Sequence, residues 1–95
     1  MAEPVWKVRY KGSVAADVRR LDASLRRRIR AAIEERLAAD PRRGKRLSDR
    51  CERETGRPLW SLRVGDYHVI YAFSDSELWV LVIRPGSRGG VYREL

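Results

Sequence analysis

Residues 59–73 alternate apolar with small or polar side chains on both sides of a Gly65-Asp66 pair, the spacing of a two-residue hairpin turn that needs a positive φ. Such a turn fixes the register. Val64 falls opposite Tyr67, Arg63 opposite His68, Leu62 opposite Val69, Ser61 opposite Ile70 and Trp60 opposite Tyr71, because side chains change face at every residue. One face then holds Trp60, Leu62, Val64, Tyr67, Val69, Tyr71 and Phe73 and is expected to be core. The other carries Ser61, Arg63, His68, Ile70 and Ala72, a sparsely apolar surface and the expected place for function.

The flanking segments supply partners for that hairpin. Residues 5–10 alternate Trp6, Val8 and Tyr10 with Lys7 and Arg9, which predicts a half-exposed strand. Ser13 is a candidate N-cap for a short helix whose apolar residues Val14, Val18 and Leu21 recur at helical spacing. Asp22 can cap a second helix, striped by Leu25, Ile29, Ile33 and Leu37 and ended at Asp40-Pro41. The opposite face of that helix holds Arg26, Arg27, Arg28, Arg30, Glu34, Glu35 and Arg36. It reads as a solvated face with an Arg30–Glu34 pair, or as a dock for an acidic partner or a phosphate backbone. Residues 42–57 lack a clear period and read as a basic connector anchored by Leu47. Residues 78–83 are apolar on both faces, as in a strand covered on both sides. The order is β-α-α-β-β-β in one domain over residues 1–95. Its expected class is α+β, an αα-hairpin packed on one face of a small, mainly antiparallel sheet.

Charge narrows the partners. With 21 lysines and arginines against 13 acidic residues the formal net charge is +8, which suits nucleic acid or an acidic protein segment. No apolar run approaches the roughly 20 residues of a membrane span, so no membrane partner is expected. Met1-Ala2-Glu3-Pro4 lacks the basic start and apolar core of a signal peptide, and a cytoplasmic location is the expectation. The single cysteine, Cys51, provides neither a disulfide nor zinc spacing. The indoles of Trp6, Trp60 and Trp79 are expected to be core rather than base-stacking platforms.

A phosphate loop, a metal-ligand cluster and a serine or cysteine nucleophile paired with histidine are all missing, and no cofactor is expected. What remains is Arg63, His68, Arg84, Arg88 and Tyr92, from the polar sheet face and the segment after the last strand. Cleaving RNA through its own 2′-hydroxyl needs a proton acceptor, cations for the phosphorane and an acid for the departing oxygen. Histidine, arginine and tyrosine can fill those roles. Each also has a structural reading: His68 as a strand residue, Arg84 as the partner of a carboxylate such as Asp66 or Glu94.

The run Leu62-Arg63-Val64-Gly65-Asp66-Tyr67-His68-Val69-Ile70-Tyr71, followed by Val82-Ile83-Arg84, Gly86-Ser87-Arg88 and Val91-Tyr92, resembles the carboxy-terminal half of RelE/ParE superfamily toxins. The element order, Asp40-Pro41 and Lys45-Arg46-Leu47 extend the likeness to nearly the whole chain. The resemblance implies the toxin of a type II toxin–antitoxin pair, neutralised by a cognate acidic antitoxin. RelE-like members cut mRNA in the ribosomal A site without metal, and ParE-like members poison DNA gyrase. The RelE-like reading implies His68 as base, Arg88 on the phosphorane and Tyr92 stacking on or orienting the substrate. Arg63, Lys45, Arg46 and Arg84 would contact RNA or ribosome. This chain has His68 where RelE-type nucleases usually have arginine, and Ser61 where some have strand lysines. The alternatives are a non-catalytic gyrase inhibitor and a degenerate toxin acting only as an antitoxin-bound partner.

Overall fold

Gly65 adopts φ +59°, the left-handed conformation that glycine reaches without steric cost, and the chain reverses there. The two strands it joins, β3 (Pro58–Val64) and β4 (Tyr67–Phe73), pair antiparallel in the expected register, from Val64 with Tyr67 to Trp60 with Tyr71. A computed structural model describes residues 5–85. Within it the chain runs β1 (Lys7–Tyr10), α1 (Gly12–Arg20), α2 (Ala23–Ala31), β2 (Lys45–Cys51), β3, β4 and β5 (Glu77–Pro85). The sheet order is β1-β5-β4-β3-β2, antiparallel except where β1 runs parallel to β5. The architecture is α+β, as the pattern predicts.

The helices cover one sheet face. Val14 and Val18 of α1 and Ile29 of α2 pack with Ile33 and Leu37 against Val69, Tyr71, Leu78, Val80 and Ile83. Burying an aliphatic side chain of this size contributes roughly 1.5–3 kcal/mol, so this stripe holds the hairpin of helices to the sheet. Asp22 caps α2 by accepting from Leu25 N at 2.9 Å. Ser13 does not cap α1; the helix starts at Gly12 after Lys11, with no side-chain cap. Beyond α2 the chain continues through a wider π-type turn, Ala32–Leu37, closed by Ala38 N donating to Ile33 O at 2.9 Å. The added residue per turn leaves both Leu37 and Ala38 buried. Asp40 then caps a 3-10 turn, Pro41–Arg43.

Two expectations need correction. The basic connector contains a strand, β2, whose Lys45 and Arg46 pair with Ser61 and Trp60. Backbone pairing at a sheet edge overrides the polar composition of this segment. The second sheet face is not open throughout: Ile70 and Ala72 are fully buried with Leu47 and Leu59, beside Trp79, Leu81 and Val82. Leu47 does anchor its segment, and Trp6 and Trp60 pack at the margin of the main core, half-buried.

Candidate functional site

On β3 and β4 the polar groups of the second face lie toward the end of the sheet nearest the Gly65 turn, whereas the Arg9–Glu77 ion pair lies on that face at its other end. His68 on β4 pairs with Arg63 on β3 and with Arg84 on β5, so an imidazole lies in register between two arginines across three strands. A β-bulge produces the second pairing. Between Ile70 and Tyr71 the β5 partner jumps from Val82 to Val80, leaving Leu81 as the extra residue. Leu81 and Val82 therefore lie together on the second face, Ile83 enters the main core, and Arg84 falls beside His68.

His68 is half-buried, and its Nδ1 is shielded from solvent without a hydrogen-bond partner. A buried, unsatisfied nitrogen costs desolvation energy and leaves Nε2 as the nitrogen that can reach a ligand. Arg63 is exposed and its Nε donates to Gly65 O at 3.0 Å, which turns the side chain around the hairpin end. Arg84 is exposed and engaged by its surroundings. Ser61, next along this face, is buried, and its strand partner is the exposed Lys45 of β2. The cation that Ser61 does not supply is thus available from the neighbouring strand. Arg88 and Tyr92 lie outside the described residues.

Arg46 does not join this group. Adjacent strand residues face opposite ways, and Arg46 lines a groove of about 260 Å³ with Arg42, Arg57, Trp6, Trp60 and Phe73. There the Arg42 guanidinium sits 5.6 Å from the centre of the Phe73 ring, a cation–π geometry. Arg42 and Arg57 were legible only as connector charge, because their convergence depends on β2. Among the described residues, no group of three or more histidine, cysteine or acidic side chains gathers where a metal could be held. No helix of the described residues is long and apolar enough to cross a membrane.

On the far side, β1 is tied to the segment after α2. Tyr10 donates its hydroxyl to Glu34 Oε2 at 2.6 Å, and Arg30 Nε donates to the same oxygen at 3.0 Å. Burial and the adjoining carboxylate push the Tyr10 phenol well above its ordinary range. Burial also opposes ionisation of Glu34, but the bonds from Tyr10 and Arg30 outweigh it and hold that carboxyl below its usual range. The trio is a structural tie between sheet and helix.

The site thus sits on a two-layer α+β domain, with a cationic row at one end of the sheet. The crystal structure of the RelBE2 toxin–antitoxin complex from Mycobacterium tuberculosis contains a chain that superposes with a TM-score of 0.70 and 22% identity, covering 88% of this chain and 94% of that one. That likeness establishes the fold. The family model for the ParE toxin of the type II toxin–antitoxin system parDE matches residues 8–91. This chain belongs to the ParE toxin family, within the RelE/ParE superfamily, and is the toxin of a type II toxin–antitoxin system. No curated protein sequence matches it.

Proposed function

We propose that this toxin is an endoribonuclease that cuts mRNA on the ribosome, using the RNA's own 2′-hydroxyl as nucleophile. The observation that carries the reading is the cross-strand register of Arg63, His68 and Arg84, two guanidinium groups flanking an imidazole. In the proposed reaction His68 Nε2 accepts the 2′-hydroxyl proton and the 2′-oxygen attacks phosphorus. The bond to the 5′-oxygen breaks, that oxygen takes a proton from solvent, and a 2′,3′-cyclic phosphate remains. Arg84 and Arg88 stabilise the negative charge of the phosphorane, while Arg63 and Lys45 hold the flanking phosphates. Tyr92 stacks on or orients the substrate, and Arg46 contacts ribosomal RNA from its separate groove.

A second reading, inhibition of DNA gyrase by contact alone, is favoured by Ser61, a buried serine that leaves β3 without a lysine at this position, and by His68 where an arginine is usual. In either reading an acidic antitoxin neutralises the chain by covering its basic surface. Primer extension on a defined message in a reconstituted translation reaction separates the two. Ribosome-dependent cuts that disappear in His68→Ala and Arg88→Ala support the nuclease. Intact message together with stalled plasmid supercoiling by gyrase would overturn it.

A further inference from the structure

A second cluster of arginines lies around the Gly65 end of the β3–β4 hairpin from the His68 row. Arg28 of α2, Arg36 of the following turn and Arg63 of β3 line an open groove of about 380 Å³, with Ala31, Ala32, Glu35, Val64 and Gly65. Two of these guanidinium groups gather on one residue. Arg63 Nε lies 3.0 Å from Gly65 O, and an Arg28 Nη lies 3.5 Å from where a Cβ on Gly65 would stand. The absence of a side chain at Gly65 therefore keeps the approach to Arg28 open. Among the described residues none of the three arginines has an ion-pair partner, whereas Arg30, on the same helix, is paired with Glu34.

We infer that Arg28, Arg36 and Arg63 form a phosphate-binding subsite for the backbone of single-stranded RNA. The inference rests on the ribonuclease reading for the identity of the ligand. Arg63 belongs both to the cross-strand row and to this groove, so a polynucleotide lying on the row continues around the Gly65 end of the hairpin from one arginine to the next. Planar guanidinium groups grip phosphate oxygens in pairs. Glu35, the one carboxylate on the lining, can accept from a ribose hydroxyl or a base amine, donors that the side chains of an acidic peptide do not offer.

The test uses the full chain and a fluorescent single-stranded RNA blocked at its 2′ positions, with binding followed by anisotropy across a salt series. Each phosphate contact on a single strand contributes about 0.7 to the slope of log affinity against log salt. Arg28→Gln with Arg36→Gln should therefore lower the slope by about 1.4. Arg20→Gln with Arg27→Gln, which removes the same charge from exposed helix positions outside the groove, should lower it by less than half as much. Thermal melts confirm that both variants fold. Equal slopes for the two double variants, or no RNA binding by the wild type, would overturn the subsite. So would unchanged RNA binding coupled to lost binding of an oligo-glutamate peptide, because the groove would then serve a protein. Failure of the two readings is separable: RNA binding with the expected slope change but no cutting refutes the nuclease alone, and cutting with equal slopes refutes the subsite alone.

Discussion

Replacing Tyr71 with phenylalanine isolates the contact that moors the 3-10 turn and the start of β2 to the middle of the sheet. Tyr71 is fully buried; its hydroxyl donates to Pro41 O at 2.5 Å and accepts from Gly44 N at 3.1 Å. The phenyl ring keeps its packing, so the loss is confined to these two bonds. Each contributes a net of about 0.5–1.5 kcal/mol, and a buried backbone group left unpaired costs about 1–3 kcal/mol, which together predict a loss of about 2 kcal/mol. For a domain of this size that lowers Tm by roughly 8–16 °C. Urea titration followed by tryptophan fluorescence measures the difference directly. Alkaline pH provides a second readout. Burial pushes the Tyr71 phenol from 10.0 up to about 12, so the folded state holds a proton that the unfolded chain releases first. Stability from this group is complete below pH 10 and is lost between pH 10 and 12, and the gap between wild type and Tyr71→Phe should narrow across that window. A variant within about 0.5 kcal/mol of wild type, the ordinary range for a surface change, would refute the mooring role.

Gly65→Ala places a Cβ at φ +59° and against the Arg28 guanidinium, and should cost about 1–2 kcal/mol in chemical denaturation. Ile33→Ala empties a fully buried position between helix and sheet and should cost about 2–5 kcal/mol by the same assay. Glu77→Gln, which breaks the exposed ion pair to Arg9, should change stability by less than about 1 kcal/mol, with the difference vanishing in high salt. His68→Gln should reduce message cutting by roughly 10²–10⁴-fold while leaving the melting curve in place; full cutting would remove His68 from the reaction.

The β3–β4 hairpin was readable in detail because one turn, at Gly65-Asp66, sets the parity of every residue on both strands. The αα-hairpin was equally legible: Ile29, Ile33 and Leu37 sit on a single stripe, and all three are fully buried. β2 escaped because an edge strand with the sequence KRLSDRC carries one strongly apolar residue, and its pairing is made by backbone groups that composition does not reveal. The candidate site was half visible. The Arg63–His68 neighbours followed from parity alone, whereas the Arg84 neighbour depends on a bulge inside a run of apolar residues where no single position announces it. The resemblance groups Arg46 with Lys45, and strand pleating separates them.

The extra residue in β5 acts as a frameshift in three dimensions. Were the β4–β5 ladder to run without it from Phe73 and Leu78, His68 would face Ile83, and Arg84 would slide opposite Tyr67 on the helix side. An aliphatic side chain would then stand beside the imidazole and a guanidinium would enter the core margin. Removing Leu81 itself is a different operation: the ladder closes to a regular one, and Val80 with Tyr71, Val82 with Ile70 and Arg84 with His68 all keep their partners. Excising Ile83 with the bulge kept at Leu81 instead carries Arg84 opposite Val69, out of the row. Length changes in this strand are therefore unequal in their effect, and Leu81 is the position where the chain can shorten while every other pair of the β4–β5 ladder keeps its partner.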